Sequence, residues 1–357
     1  MTDAGTGIAS AAANGAANGA GPNPVLAIRT RAGFVEREHR GRLAIVDGSG
    51  ALVAALGDVA APMLPRSSCK MVQALPLVES GAADAARLTP RRLALACASH
   101  QGSSAHAALA AEWLGEMGLG EADLMCGPQV PGDKPTRQAL RAAEEAPSQL
   151  HNNCSGKHTG FLCLARHIGA PTAGYVDQAH AVQRAVAQAT ADLAEEDPAG
   201  HAIDGCSAPN FAISLAGLAR SAAKYAAAET ALTGARRDAA IRLREAMAAH
   251  PFEVAGTGRC CTELMEAAAG RIAVKTGAEG AFVAILPGLG LGVALKIDDG
   301  ATSAAECAMA GALVALGVLA ADDPVVAKWR EPKEVNRRGV LCGGGAPAEA
   351  ITGLTVG

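Results

Sequence analysis

Ser67 and Lys70 stand three residues apart in Arg66-Ser67-Ser68-Cys69-Lys70. At the start of a helix this spacing sets both side chains on one face, one turn apart. A lysine that is desolvated, or placed near another cation, gives up its proton more readily and can serve as a base toward a serine hydroxyl. The helix N-terminus also brings backbone N–H groups beside the serine, where an oxyanion would form. The chemistry implied is attack of Ser67 on a carbonyl carbon, with Lys70 taking the proton. Ser-x-x-Lys alone is common on solvated surfaces, so the reading rests on what accompanies it. Ser68 reads as a packing or hydrogen-bonding residue.

Two elements accompany it. Lys275-Thr276-Gly277 ends an apolar run, and Ser99-His100-Gln101-Gly102 closes a helix that opens at Thr89-Pro90. The order Ser-x-x-Lys, second serine element, Lys-Thr-Gly resembles that of serine β-lactamases and penicillin-binding proteins. Here the middle element is Ser-His-Gln rather than Ser-Asp-Asn, which points to another substrate. A further constellation is His151-Asn152-Asn153-Cys154-Ser155-Gly156-Lys157-His158, followed by Asp204-Gly205-Cys206-Ser207. Cys154 and Cys206 are expected at helix starts, a position that favours thiolate. Cys154 and Lys157 share a face, with His158 and Asp204 as further polar candidates. Two thiolates near a nitrogen ligand suit zinc, although lysine ligates only as the neutral amine. The competing reading is two buried thiols and a solvated lysine.

The rest of the chain must position these groups. Its 357 residues suit one large domain or two interleaved lobes, and half of them are hydrophobic, enough for a sizeable core. Aromatics at 3% and a net charge of −4 without a basic stripe argue against a nucleic-acid partner. Ten scattered cysteines read as reduced thiols, several of them small buried hydrophobes such as Cys97, Cys163 and Cys307. No apolar run matches a membrane span; residues 302–320 come nearest and read as a core helix. Residues 1–24 lack a basic region and a compact apolar stretch, so a disordered tail and a cytoplasmic location are expected. Strands are expected over 25–28, 33–37, 43–46 and 52–56, then at 272–275, 281–286 and 293–297, with 340–341 as a last edge and a fraying end over 343–357. Between them, 67–270 should be almost wholly helical, including helices over 177–193 and 228–250 and one opened by Cys206–Pro209. The fold class is therefore α/β (α+β): an antiparallel sheet built from 25–66 and 271–342, covered by a helical middle, with the site at the seam.

Five blocks together name a family. PRSSCKMVQALPLVESGA, ASHQGSSAH, HNNCSGKHTGFL, DGCSAPNF and KTGAEG resemble, in content and order, the zinc-containing, serine-dependent L-asparaginases of the Rhizobium etli inducible type (class 3), over roughly residues 25–340. The resemblance implies a β-lactamase- and glutaminase-like fold, a homodimer, and hydrolysis of L-asparagine to L-aspartate and ammonia. It implies two Ser–Lys tandems, Ser67 with Lys70 and Ser99 with Lys275, and zinc held by Cys154, Lys157 and Cys206 with water. Backbone N–H groups of Ser67 and Ala278 would hold the oxyanion, and Arg66, His158 and Asp204 are the candidates for the substrate's α-groups. Ser99 is an alternative nucleophile. Three other functions fit the same motifs: a glutaminase, one methylene away in substrate; an enzyme acting on β-lactams; and a non-catalytic amino-acid or metal sensor.

Overall fold

The computed structural model describes residues 22–355. Its eleven strands are β1 (Val25–Arg31), β2 (Phe34–Asp47), β3 (Leu52–Leu56), β4 (Pro62–Met63), β5 (Gly200–Ile203), β6 (Pro209–Ser214), β7 (Ala273–Thr276), β8 (Ala281–Leu286), β9 (Leu291–Ile297), β10 (Lys333–Val335) and β11 (Leu341–Pro347). Eight make one sheet in the order β10-β11-β1-β2-β9-β8-β7, with β3 also on β2. All its pairs are antiparallel. The expected sheet of strands from both sides of a helical middle is therefore present.

The runs 33–37 and 43–46 are one long strand, not two. The first half of β2 pairs with β1 and the second with β9, and the strand continues through Arg40 and Gly41 across a register shift opposite Val25–Ala27. Every residue of β8 is buried, and all but one of β9. Side chains alternate across a sheet, so both faces of these strands are covered. Helix Thr302–Ala315 packs on β1, β9 and β11, and helix Leu215–Ala226 on β2, β8 and β9. No helix among the described residues is long and apolar enough to cross a membrane.

Four expectations are corrected. The segment after Cys206 is a strand, β6, not a helix. Residues 209–214 are buried on both alternating sets, which suits a covered strand, and proline is tolerated at a strand's first residue. The helix begins only at Leu215, where the Ser214 hydroxyl accepts the Gly217 N–H. The break near 198–205 contains β5. The 228–250 helix is divided, its second part starting at Gly234 with a left-handed φ of +58°. Finally, the Gly-rich end does not fray: β11 is an inner strand bonded to β1 on one side and β10 on the other, and Ile351 is fully buried beyond it. Glycine's low strand propensity is outweighed here by a backbone paired along both edges. The expected disordered tail lies, up to residue 21, outside the described residues. Pro22–Pro24 lie within them, and the Asn23 amide donates to the Asp298 carboxylate at 2.9 Å.

A second, small sheet has the order β4-β6-β5. Two of its strands, β5 and β6, lie inside the region expected to be helical, and β4 delivers the chain to Ser67.

Deleting residues 341–357 strips β1 of its outer partner and should lower the Tm by at least about 10 °C or abolish soluble expression. Differential scanning fluorimetry checks this; an unchanged Tm would mean the strand adds nothing to the sheet.

Candidate active site

A cavity of about 270 Å³ gathers most of the residues expected to do chemistry. Arg66 and Ser67 come from the turn after β4. Asn152, Asn153 and Cys154 precede helix Ser155–His167. Asp204, Gly205 and Cys206 come from the β5–β6 turn, Ala278 follows β7, and Gln129 reaches in from a Pro/Gly loop. A larger hollow, about 430 Å³, lies elsewhere between Arg244, Arg271, Leu286 and Val318. Its lining holds no serine, cysteine, histidine or lysine, so the smaller cavity is the chemical one.

Ser67 lies in a 3₁₀ turn, Arg66–Cys69, and Lys70 opens helix Lys70–Glu79, which runs through Pro76 without ending. The backbone around the cavity is strained. Arg66 (φ +54°), Ser207 (+70°) and Glu279 (+59°) all occupy the left-handed region, at a cost of roughly 1–2 kcal/mol each for a non-glycine residue. Such strain concentrates at functional sites. The Arg66 guanidinium donates twice to one Asp204 carboxylate oxygen, at 2.9 and 3.1 Å. Burial alone would raise the Asp204 carboxyl, but Arg66 and the Gly205 N–H outweigh it and hold it below the usual range. Ser68 is fully buried and donates to Pro65 O at 2.6 Å, the supporting role expected of it.

The expected Ser67–Lys70 hydrogen bond is not made. The Lys70 ammonium is buried and donates instead to the carbonyls of Ala98 and, at 3.3 Å, Asn153. A buried cation needs such acceptors. The other pair is formed: Lys275 Nζ donates to Ser99 Oγ and to Thr276 O, each at 2.8 Å. Burial, then the nearness of Lys70, lowers Lys275 to about 7. Ser99 itself is nearly buried and does not line the cavity.

The Ser67 and Ala278 amides donate to no protein acceptor among the described residues, and both residues border the cavity. Glycine makes this closeness possible. A Cβ on Gly277 would stand 2.8 Å from Pro65 O and 2.9 Å from Ser68 N. On the opposite wall, a Cβ on Gly156 would meet Leu95 O at 2.4 Å, so helix Ser155–His167 can press onto helix Pro90–Ala96. His100 fastens the same seam. Burial, and His106 stacked on it, push its pKa well down. It accepts the Gly102 N–H at Nδ1 and therefore donates from Nε2 to Ser155 Oγ, both at 3.0 Å.

Cys154 and Cys206 line the cavity, and Lys157 meets them from behind its wall. Lys157 Nζ donates to Cys206 Sγ at 3.1 Å. A hydrogen bond from Cys206 lowers the Cys154 thiol well below its ordinary value against the cost of burial, and the Cys206 thiol rises correspondingly. Burial opposes the Lys157 ammonium, but the two sulfurs raise it above its ordinary value. Among the described residues no three His, Cys, Asp or Glu side chains gather as a metal site. Two sulfurs and a lysine amine are nonetheless a donor set that a zinc ion accepts once its charge displaces their protons.

His158 does not face the substrate side. It is fully buried, its Nδ1 is 2.7 Å from the Tyr175 hydroxyl, and burial lowers it to about 4. Its Nε2 has no hydrogen-bond partner among the described residues. Residues that sequence reasoning passed over are Gln129, Asn152, Asn153, His100 and Asn210. The polar run His151–Asn153 was the only available signal for the first wall; nothing in the Pro/Gly loop marks Gln129.

The family model for L-asparaginase II matches residues 27–346. The chain belongs to the L-asparaginase II family. No curated relative matches the chain. Among solved structures, it is similar to Mglu in its native form, at 14% identity and TM-score 0.43, over 74% of this chain and 61% of that one. It is also similar to a β-lactamase from Mycobacterium bovis, at 12% identity and TM-score 0.37, over 81% of this chain and 94% of that one. The chain thus spans less than two thirds of the length of the Mglu structure it matches.

Gly277→Ala would push the Ala278 amide away from the Ser67 turn. It is expected to lower kcat on L-asparagine by about 10–100-fold, since one misplaced oxyanion donor costs about that much or more. Unchanged kcat in steady-state ammonia release would remove Ala278 from the site.

Proposed function

We propose that this family member hydrolyses L-asparagine to L-aspartate and ammonia, with Ser67 as nucleophile. The observation that carries the reading is the cavity itself: one half-buried hydroxyl between two free backbone N–H groups, beside an Arg66–Asp204 pair. Arg66 suits the substrate α-carboxylate and Asp204 the α-amino group. Ser67 Oγ bonds to the side-chain amide carbon, and the Ser67 and Ala278 amides receive the oxyanion. As the carbon–nitrogen bond breaks, the leaving nitrogen takes a proton and departs as ammonia. Water then cleaves the β-aspartyl ester and returns the hydroxyl to Ser67.

The proton needs a lysine that is neutral near physiological pH. Lys275, lowered to about 7 and bonded to Ser99, is the lysine that meets that need. Lys70, bound to two carbonyls, serves as the fixed positive charge that helps to keep Lys275 neutral. This reverses the expected roles of the two lysines. The same Lys275–Ser99 bond supports a second reading, in which Ser99 attacks; its burial away from the cavity wall counts against it. Zinc belongs to the proposal at Cys154, Lys157 and Cys206, where it would supply a fixed charge and order the floor beneath the substrate. A homodimer and a cytoplasmic location, both implied by the resemblance or the composition, complete it.

Ammonia release from L-asparagine and from L-glutamine, with wild type, Ser67→Ala and Ser99→Ala, tests the reaction. Ser67→Ala should lower kcat on asparagine at least ~10³-fold. Survival of turnover in that variant, with loss in Ser99→Ala, moves the nucleophile; no release from either amide leaves the sensor function. The acid limb of kcat/KM should rise through about pH 7 as Lys275 loses its proton, and Lys275→Arg should remove activity at every pH. An acid limb elsewhere separates Lys275 from the chemistry.

Elemental analysis of purified protein should find about one zinc per chain. Cys154→Ser and Cys206→Ser should each bring it to background with circular dichroism unchanged. Zinc at background in the wild type would end the metal part of the proposal.

A further inference from the structure

Antiparallel pairing of β4 with β6 matches Pro62 to Ser214 and Met63 to Ile213. Continued past the last ladder bond, that register sets Arg66 opposite Asn210. By then the two backbones have parted, because Arg66 has turned into the left-handed region. The Asn210 side chain takes over. Its Oδ1 accepts the Arg66 N–H at 3.0 Å, and its Nδ2 donates to Arg66 O at 3.3 Å. One buried amide thus binds both polar groups of one strained residue, as a neighbouring strand would. The same Nδ2 lies 4.0 Å from Cys69 Sγ. Asn210 does not line the cavity, so it acts through Arg66 and not on substrate.

The residue after Arg66 is Ser67. The direction of its hydroxyl and of its N–H is set by the Arg66 dihedrals. We propose that Asn210 is a positioning residue that locks Arg66 in the left-handed conformation and so aims Ser67 into the cavity. The salt bridge from Arg66 to Asp204 holds the side chain of the same residue but leaves its backbone free to relax. Cys69 Sγ also donates to Arg66 O, at 3.2 Å, but Asn210 alone among the described side chains binds both backbone groups of Arg66. The proposal rests on Ser67 being the nucleophile, but the lock is testable apart from that reading.

Two measurements test it. The first is reactivity of Ser67 toward a fluorophosphonate, followed by mass spectrometry; the serine oxygen displaces fluoride from phosphorus and its proton leaves to solvent. Asn210→Ala should slow this labelling and lower kcat on L-asparagine by the same factor, about 10–100-fold, with KM changed less than about threefold. Asn210→Asp keeps the acceptor for the Arg66 N–H and should recover part of both. A merely structural role would lower the Tm and leave labelling at 25 °C unchanged, and that result overturns the proposal. Should Asn210→Ala prove insoluble, Asn210→Asp carries the comparison. The second measurement is a thermal-stability cycle with Arg66→Gly. Glycine enters the left-handed region without penalty, so loss of Asn210 relieves strain only when residue 66 is arginine, and the Tm loss caused by Asn210→Ala should be larger in the Arg66→Gly background than in wild type. Equal losses in both backgrounds overturn the lock whatever Ser67 does. Turnover that survives Ser67→Ala, with the Tm coupling intact, overturns only the nucleophile.

Discussion

Two lysine ammonium groups in one dry interior repel each other, and the site is organised around that conflict. Lys70 and Lys275 are each about 1% exposed. Lys70 is given two carbonyls, one from the end of helix Pro90–Ala96 and one from the segment leading into helix Ser155–His167. Lys275 is given a hydroxyl and its neighbour's carbonyl, and it is the one whose proton becomes labile. The arrangement needs a strand, a helix terminus and a loop to meet within hydrogen-bonding reach. That requirement accounts for the close backbone approaches at Gly156 and Gly277.

The thiol cluster satisfies a third buried lysine. Lys157 Nζ donates to Cys206 Sγ, and Cys154 Sγ donates in turn to Asn153 Oδ1. Each of these lysines therefore has a partner from another segment, and the Lys275–Ser99 bond joins the main sheet to the helical part. Because partly satisfied polar networks are costly, these groups specify how the elements meet as well as what they do. The pairing of Arg66 with Asp204 extends the same pattern to the cavity mouth.

Much of this was legible in the chain. Ser67, Lys70, Ser99, Lys275, Cys154, Lys157 and Cys206 were marked by residue type and spacing, and strands β7 to β9 by unbroken apolar runs. What escaped notice has physical reasons. The segment Cys206-Ser207-Ala208-Pro209 carries both a helix-start composition and a strand-start proline, and pairing with β4 and β5 decides between them. The glycines of β11 look like a loose end unless the partner strand, some three hundred residues earlier, is known. His158 looked like a ligand for substrate because polarity is visible in a sequence and direction is not; helix Ser155–His167 turns it into the interior. Lys70 was placed with Ser67 by spacing alone, and two carbonyls from distant segments claimed it.

The position of β1 between β2 and β11 bears on biosynthesis. Strand β1 is made some three hundred residues before its outer partner, so its outer edge stays open until residue 347 has left the ribosome. Until then the nascent protein carries an unsatisfied strand edge, and Lys275 follows Ser67 by about two hundred residues. Such long-range pairing folds slowly and leaves the edge exposed to other chains meanwhile. The neighbouring Arg31, Glu36 and Arg37 are charges that discourage wrong pairing at that edge. The candidate site is thus assembled only after the long stretch of chain that separates its parts has been made.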